Sequence, residues 1–414
     1  MKSVAVKPRR DYTKPTKSIR VAVIVATLGI LLATGSLLRF EAVAAPPQQP
    51  EVPKFEVDAS WPRPLQNLWI AGEVGGTCVD AQDHVFILDR DNLTPDEQKN
   101  SEPAPPVIEF DSSGTVVNSW GKRIIRDASG NALASGAEDT LPKRVHACVV
   151  DTQGNVWIGG NQDGIVQEYT HDGSKLLLQI GIQGRLDTSD GTVTGYALNS
   201  SHTMLNKPAS IAIDPTNGDV YVADGYGNRR IVVFDRAGHF LRQWGRQATV
   251  AETEAGVGGV FLDTVHCVTI DNSGLVYVCD RKGDRVQVFD KLGTFKKNIW
   301  IQKGTGYLRG MDGSAWWVAF SRDAAQKYMY VADGSNEIVW ILDHATGQIL
   351  SGFGRSGHMA GDFTYLHTIT IDSKGNMITG EVINGRRVQR FKMTGFEPSG
   401  NLPAVKTPQG AGQQ

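Results

Sequence analysis

The stretch from His146 to Gly160 reads HACVVDTQGNVWIGG, and two later stretches of the chain repeat its pattern. They are HCVTIDNSGLVYVCD, which begins at His266, and HTITIDSKGNMITGE, which begins at His367. Each begins with histidine, continues as a short apolar strand, turns at an Asp-x-x-Gly sequence and resumes as a second apolar strand. The sequence therefore predicts a repeated β-hairpin in which histidine holds one register in three copies.

The same hairpin pattern also occurs without the histidine. The copies are marked by the residue before each turn, which is aspartate in all but the fifth: Asp80, Asp151, Asp214, Asp271, Ser321 and Asp372. The separation falls from about 71 to about 50 residues, which is typical of β-propeller blades with loops of unequal length. Runs such as VYVADGYGNRRIVVFDRAGHFLRQWG alternate strands and turns with no helical period. We predict an all-β, six-bladed β-propeller, because radial closure protects the sheet edges.

One position in each blade lies four residues before the last apolar residue of the first strand: Gly75, His146, Ala209, His266, Trp316 and His367. The innermost strand of a blade lines the channel, so these residues should form a ring, with the histidines about 120° apart. A lone strand histidine is usually a hydrogen-bonded structural residue. Three at one register favour a divalent metal, Zn²⁺ or another, with three imidazole ligands and an open fourth position. The other histidines are interpreted as solvated turn and loop residues: His84, His171, His202, His239, His344 and His358.

Polar residues cluster where the second strand of each blade ends. Arg90 and Arg281 hold the same register in blades 1 and 4, on opposite sides of the ring, and Tyr226 follows the equivalent register in blade 3. A guanidinium can hold a carboxylate through two parallel hydrogen bonds, and a tyrosine beside a cation can act as a base. We predict that these three residues act on the substrate. Three further arginines are interpreted as partners of neighbouring blades: Arg229, Arg230 and Arg285.

The chain has 414 residues, of which 40% are apolar and 21% charged, with a net charge of −2. This is an ordinary globular composition that does not indicate nucleic-acid binding. A basic N-terminus precedes an apolar run at residues 21–38, which predicts a signal peptide or an uncleaved membrane anchor in an exported protein, periplasmic or secreted. The predicted segments are residues 1–45 for export, 46–53 as a Pro/Gln-rich spacer, 54–396 as the propeller and 397–414 as a disordered tail. No oligomeric state is predicted, because a propeller closes without partners.

Two further features bear on how the fold is held together. The segment KFEVD, residues 54–58, alternates like a strand without a partner, and we predict that it pairs with VQRFKM in the last blade and closes the ring. Four cysteines are too few to dominate the stability of an exported chain of this length. Cys267 and Cys279 lie on one predicted hairpin and either form a disulfide or remain buried thiols.

The blade sequences VYVADGYGNRRIVVFD and VYVCDRKGDRVQVFD resemble NHL repeats. Residues 52–396 resemble the peptidylglycine alpha-amidating lyase family, also called peptidyl-alpha-hydroxyglycine alpha-amidating lyases. In that family three histidines from alternate blades of a six-bladed propeller hold a catalytic zinc, which the resemblance assigns here to His146, His266 and His367. The family's catalytic tyrosine lies in a phrase that matches DGYGNRRI, which implies this role for Tyr226. Its two active-site arginines match Arg90 and Arg281.

The resemblance implies a zinc-dependent lyase that cleaves the C–N bond of a carbinolamide. The substrate would be a small molecule or peptide with a carboxylate, and the products an amide and glyoxylate or a similar 2-oxo acid. Two positions depart from the family. Tyr365 stands in place of a methionine, and Thr368 in place of an aspartate that helps to hold calcium, so calcium is not expected here.

Two other functions remain open. A metal-dependent hydrolase of esters or lactones could use the same open metal position. A non-catalytic NHL propeller that binds a protein or glycan is a further alternative, although it would not need a shared histidine register.

Overall fold

The computed structural model describes residues 49–121, 141–187 and 200–405. The strands in chain order are β1 (Glu51–Val57), β2 (Trp69–Ile70), β3 (Val74–Val79), β4 (Val85–Asp89), β5 (Glu102–Pro103), β6 (Val107–Phe110), β7 (Val116–Trp120), β8 (Val145–Val150), β9 (Val156–Gly160), β10 (Val166–Tyr169), β11 (Leu176–Ile180), β12 (Ser210–Ile213), β13 (Val220–Asp224), β14 (Arg230–Phe234), β15 (Phe240–Trp244), β16 (Val265–Ile270), β17 (Val276–Asp280), β18 (Arg285–Phe289), β19 (Phe295–Trp300), β20 (Trp317–Phe320), β21 (Tyr328–Asp333), β22 (Ile338–Asp343), β23 (Ile349–Phe353), β24 (Leu366–Ile371), β25 (Met377–Glu381) and β26 (Arg387–Pro398).

In the described part of the chain these strands build six four-stranded antiparallel sheets, and the short parallel pair β2 and β5 lies outside them. Blades 1 to 6 begin with their innermost strands, which are β3, β8, β12, β16, β20 and β24. The innermost strands contact one another in cyclic order, and β24 contacts β3. The predicted six-bladed β-propeller is therefore confirmed.

The two ends of the propeller meet in blade 6. Strand β1 pairs antiparallel with β26, placing Phe55 opposite Met393 and Val57 opposite Phe391, as predicted for the KFEVD segment. The pairing is longer than expected, because β1 starts at Glu51 and β26 ends at Pro398. A strand that supplies the edge of the last blade joins the ends of the chain without a covalent link.

A disordered tail was predicted from residue 397, but residues 397 and 398 belong to β26 and the described chain continues to residue 405. The backbone N–H of Gly352 on β23 donates to Asn401 O at 2.8 Å, and Ser399 N donates to Pro50 O at 2.8 Å. These residues satisfy polar groups at a sheet edge, which gives this part of the tail fixed partners. Residues 406–414 lie outside the described residues.

The aspartate turns explain why the blades share one register. Asp151 Oδ1 accepts hydrogen bonds from the backbone N–H groups of Gln153 and Asn155, at 2.8 and 2.9 Å, and equivalent bonds form in other blades. Gly154 adopts φ of 83°, a left-handed conformation that glycine reaches at little cost. In blade 5, where serine replaces the aspartate, Asp323 Oδ1 accepts from Lys327 N at 3.1 Å and restores the bonded turn.

A short helix, α1 (Val250–Glu254), connects blades 3 and 4. It begins at a capping box in which the side chains of Thr249 and Glu252 each accept from the other's backbone N–H. Five residues are too few to give a periodic pattern, which is why the sequence did not indicate a helix. Among the described helices, none is long and apolar enough to cross a membrane. The predicted export segment, residues 1–45, lies outside the described residues.

Both pairs of cysteines form disulfide bonds. Cys267–Cys279 joins β16 and β17 within blade 4, one of the two outcomes left open by the sequence. Cys78–Cys148 joins the innermost strands of blades 1 and 2. The Cys78–Cys148 bond was not expected from the sequence, because the two cysteines are 70 residues apart and lie on different blades.

Candidate metal and active site

The structure brings His146, His266 and His367 together in the channel. Their side chains are buried, and one ring nitrogen from each lies within 4.8 Å of the others. The Nε2 atoms of His146 and His367 are 3.1 Å apart. Each histidine is the second residue of its innermost strand, and a shift of pairing register follows or spans it in all three blades. Such a bulge turns a side chain away from the regular pleat, here toward the axis.

Neighbouring blades fix the orientation of two of these imidazoles. His146 Nδ1 donates to Ala209 O at 2.7 Å, and His266 Nδ1 donates to Trp316 O at 2.7 Å. A carbonyl only accepts, so the proton of each neutral ring lies on Nδ1 and the Nε2 lone pair points into the channel. His367 Nδ1 is buried and has no hydrogen-bond partner among the residues that the structure describes. Burial holds the pKa of all three imidazoles well below the usual range, which keeps them neutral.

Tyr226 lies directly against the converging nitrogens. Its hydroxyl oxygen is 3.0 Å from His146 Nε2, 3.2 Å from His266 Nε2 and 3.4 Å from Arg281 Nη1. The phenol has one proton, so it cannot satisfy two lone pairs at once, and His367 brings a third ring nitrogen, its Nε2, 3.1 Å from His146 Nε2. A cation would satisfy all three nitrogens, and neutral imidazoles are the donors that zinc prefers. The residues present therefore fit a zinc ion.

The two predicted arginines are held in different ways. Arg90 donates from Nε to Val145 O at 3.0 Å and from Nη1 to Glu73 Oε2, while its buried Nη2 has no partner within the described part of the chain. Burial lowers the pKa of Arg90, and the nearby charge of Arg144 adds to the effect. The Arg281 guanidinium lies 4.6 Å from the ring centroid of Trp316, and none of the described residues bonds to its buried Nε. Each arginine thus offers an unused donor.

One recurring backbone bond places this second layer of residues. The N–H of Arg90 donates to Glu73 O at 3.0 Å, and that of Arg281 donates to Thr264 O at 3.2 Å. The N–H of Tyr226 makes the same bond to Lys207 O at 3.2 Å. Tyr226 therefore occupies the arginine register, although one extra residue precedes it in its blade.

Two polar residues of this layer were not predicted from the sequence. Asn161 makes the equivalent backbone bond in blade 2, to Arg144 O at 3.2 Å, and its buried Oδ1 has no partner in residues 49–121, 141–187 and 200–405. Glu73 holds Arg90 and accepts from Asn92 Nδ2 at 2.9 Å. Asn161 could have been found by its register, since it follows strand β9 as Arg90 follows β4. No comparable pattern points to Glu73.

The three arginines predicted to pair with neighbouring blades are buried in ion pairs, but the prediction of the partner is wrong for two of them. Arg230 Nε and Arg285 Nε each lie 2.9 Å from a buried aspartate of their own blade, Asp224 and Asp280. Arg229 lies 2.7 Å from Asp263, just before the first strand of blade 4. At the position where the resembled family has a calcium-binding aspartate, the hydroxyls of Thr368 and Thr77 are 3.3 Å apart. This position offers hydroxyls rather than a carboxylate.

Some histidines interpreted as solvated are in fact paired. His84 Nδ1 lies 2.7 Å from Glu109 Oε1, and His171 Nε2 lies 3.0 Å from Asp80 Oδ2. His344 Nε2 lies 3.4 Å from Asp271 Oδ2. These turns pack against carboxylates of their own or neighbouring blades, which their position in a turn does not reveal.

Fold and site together define a six-bladed β-propeller with a three-histidine cluster in its channel. The family model of the NHL repeat matches residues 205–234. The chain is similar to peptidyl-glycine alpha-amidating monooxygenase B of Xenopus laevis, 25% identical over 329 residues that cover 79% of this chain and 34% of that protein. It is 29% identical to peptidyl-alpha-hydroxyglycine alpha-amidating lyase 2 of Drosophila melanogaster over 163 residues, or 39% of this chain and 35% of that protein.

NHL repeat-containing protein 3 of Homo sapiens is 24% identical over 363 residues, which cover 83% of this chain and 86% of that protein. Among solved structures, a streptogramin B lyase structure matches with a TM-score of 0.46 and 12% identity, covering 83% of this chain and 88% of that one. A likeness this low supports no functional conclusion. The chain spans about a third of the length of the amidating monooxygenases that it matches. The predicted resemblance to NHL-repeat amidating enzymes is confirmed.

Proposed function

We propose that this protein is a metal-dependent carbon–nitrogen lyase that cleaves a carbinolamide carrying a carboxylate. The supporting observation is the convergence of three neutral imidazoles beside a tyrosine hydroxyl and two buried arginines. Similarity to proteins named as amidating lyases supports the same reaction class. The products would be an amide and glyoxylate or a similar 2-oxo acid.

In this proposal His146, His266 and His367 hold the metal through Nε2. A bound zinc ion supplies Lewis acidity, which makes an oxygen ligand more acidic. The carbonyls of Ala209 and Trp316 keep two of the ligand rings in the required tautomer. Zn²⁺ suits this nitrogen donor set better than Ca²⁺, which takes oxygen ligands.

Arg90 and Arg281 would bind the substrate carboxylate through donors that the protein leaves unused. Glu73 fixes the Arg90 fork, and the Trp316 ring supports the Arg281 guanidinium. Because both arginines are largely buried, little water competes for the carboxylate. Their charge also suits the 2-oxo acid product, which keeps the carboxylate.

Tyr226 would move the proton between two atoms of the substrate. Its oxygen takes the proton of the carbinol hydroxyl as its own phenolic proton passes to the nitrogen, while the carbon–oxygen bond becomes a carbonyl and the carbon–nitrogen bond breaks. The nitrogen keeps the bonding electron pair and, with the proton from Tyr226, becomes the amide nitrogen. Water is not consumed. The unpartnered Oδ1 of Asn161 would accept the N–H of the departing amide and so orient it.

We also propose that the propeller is exported. Two disulfide bonds suit an oxidising compartment, where they form and persist. This agrees with the signal peptide or anchor predicted for residues 1–45.

The test is an assay of the purified, zinc-loaded protein with α-hydroxyhippurate, following glyoxylate and benzamide by chromatography, beside elemental analysis. Equal amounts of the two products are expected, with one metal ion bound in the channel. Turnover of esters or lactones alone would instead indicate a hydrolase. If the protein binds no metal and turns over none of these substrates, the alternative of a non-catalytic binding protein remains.

A further inference from the structure

A second cluster of metal-binding side chains lies between blades 1 and 2. Asp80 follows β3, five residues beyond Gly75 and therefore about 16 Å along the strand from the histidine ring. His171 Nε2 lies 3.0 Å from Asp80 Oδ2, and His84 Nδ1 lies 2.7 Å from Glu109 Oε1 and 3.9 Å from Asp80 Oδ2. Donor atoms of Asp80, Glu109 and His171 all lie within 4.8 Å of one another.

The charge of this cluster is not balanced by the fixed cations of the protein. Asp80 is 6% exposed and Glu109 is 4% exposed, yet within the described residues neither carboxylate pairs with lysine or arginine. By contrast, the equivalent Asp214 of blade 3 lies 2.6 Å from Lys291 Nζ. Buried carboxylates require compensation, and a divalent cation would neutralise both at once.

The corresponding positions in other blades lack this donor set. Blade 2 has Asp151, Asn155 and Glu168, and Asn155 uses its Nδ2 as a donor to Glu168 Oε1 at 2.7 Å. At the junction of blades 4 and 5, His344 approaches Asp271, but apolar Leu275 and Val288 take the places of His84 and Glu109. The blade 1 cluster therefore combines two imidazoles and two carboxylates where its repeats do not.

We propose that Asp80, Glu109 and His171, whose donor atoms lie within 4.8 Å of one another, form a second metal site with His84 as a further donor beside Glu109. The site binds a divalent transition metal and clamps blade 1 to blade 2. Two imidazoles with two carboxylates suit Zn²⁺, whereas Ca²⁺ and Mg²⁺ prefer oxygen ligands alone. Asp80 uses Oδ1 for the turn, where it accepts from Gln82 N and His84 N, so Oδ2 remains for the metal. His84 binds through Nδ1 and His171 through Nε2.

The experiment is a Zn²⁺ titration of the full chain after chelation, with bound zinc measured by equilibrium dialysis and elemental analysis. His171→Gln should bind one equivalent fewer than the parent, and Zn²⁺ should raise its melting temperature less. His344→Gln is the matched control. His344 holds the position of His171 in another blade, at the junction of blades 4 and 5, where the counterparts of His84 and Glu109 are apolar. His344→Gln should bind as many equivalents as the parent.

The test does not depend on the proposed zinc site in the channel, because His367→Ala should remove the zinc ion of the channel and leave the one bound by His171. If the channel binds no zinc, the His171→Gln variant should still bind one equivalent fewer than the parent. If His171→Gln does not fold, Glu109→Gln is used in its place and should also bind one zinc equivalent fewer than the parent. Equal zinc binding by the parent and either folded variant would overturn the proposal.

Discussion

Blades 2, 4 and 6 differ from blades 3 and 5 at the same position of the repeat. Blades 2, 4 and 6 have a histidine there, at a shift of register in the innermost strand. Blades 3 and 5 have Ala209 and Trp316 there, just before β12 and β20, and these two strands pair without a shift. The two residues of blades 3 and 5 contribute their carbonyls, which accept from His146 and His266. One repeat thus provides the proposed metal donors and the groups that orient them, in alternation around the ring.

Blade 1 is the exception. It carries the same shift of pairing as the histidine blades but has Gly75 at the ring position. A Cβ atom there would lie 2.2 Å from Val145 O and 2.9 Å from Arg90 Nε. The missing side chain is therefore what admits the Arg90 side chain to this part of the site.

The largest expected effect comes from removing a histidine of this alternating set. His266→Ala should lose the channel's equivalent of bound zinc and the activity, because a catalytic zinc site normally needs three protein ligands. Elemental analysis and the glyoxylate assay measure the two losses. His239→Ala, which changes an exposed histidine of a blade turn, is the control and should keep both. Retention of channel zinc by His266→Ala would contradict the ligand assignment.

The next effect separates the metal ligands from the proton-transfer group. Tyr226→Phe should retain zinc but lose turnover by roughly 10²–10⁴-fold, the usual contribution of a general acid or base. Steady-state kinetics with α-hydroxyhippurate measure it. Normal turnover by this variant would remove Tyr226 from the mechanism and leave the lyase proposal without its main support.

Arg281→Lys should retain zinc and raise KM for carboxylate-bearing substrates by about 10- to 100-fold. A lysine keeps the charge but cannot reproduce the two-pronged hydrogen bonding of a guanidinium, and a bond to a charged group contributes about 1.5–3 kcal/mol. The matched comparison is a substrate whose carboxylate is replaced by a neutral amide. If both substrates lose equally, Arg281 does not bind the carboxylate.

The smallest effect should come from Gly75→Ala in the exceptional blade. The added methyl must displace Val145 O or Arg90, at a cost of about 1–3 kcal/mol in the free energy of unfolding. Chemical denaturation measures that cost, and the KM for carboxylate substrates should rise while zinc content stays unchanged. Ala209→Gly provides the contrast, because it removes a methyl at the same register without crowding Arg90. If the folded Gly75→Ala protein has an unaltered KM, Gly75 does not determine the position of Arg90.

Much of the fold could be predicted because it depends on local patterns. Asp151 and Gly154 form their turn within four residues, and strand alternation sets the register that brings the three histidines to one ring. The ring closure by residues 54–58 followed from an unpaired strand and the need to protect sheet edges. The partners of the site could not be predicted in this way. Glu73 reaches Arg90 across 17 residues of sequence, and Ala209 accepts from a histidine 63 residues away.

The sequence by itself therefore determined the repeat, the number of blades and the ring positions of His146, His266 and His367, because hydrogen bonding within short segments fixes a periodic register. Only the tertiary structure decided the pairing shifts beside those histidines, the carbonyls that orient them and the disulfide of Cys78 and Cys148. It alone also assembled His84 and His171 with two buried carboxylates. These features arise where neighbouring blades meet, and contacts between blades depend on the loops and twist that bring distant residues together.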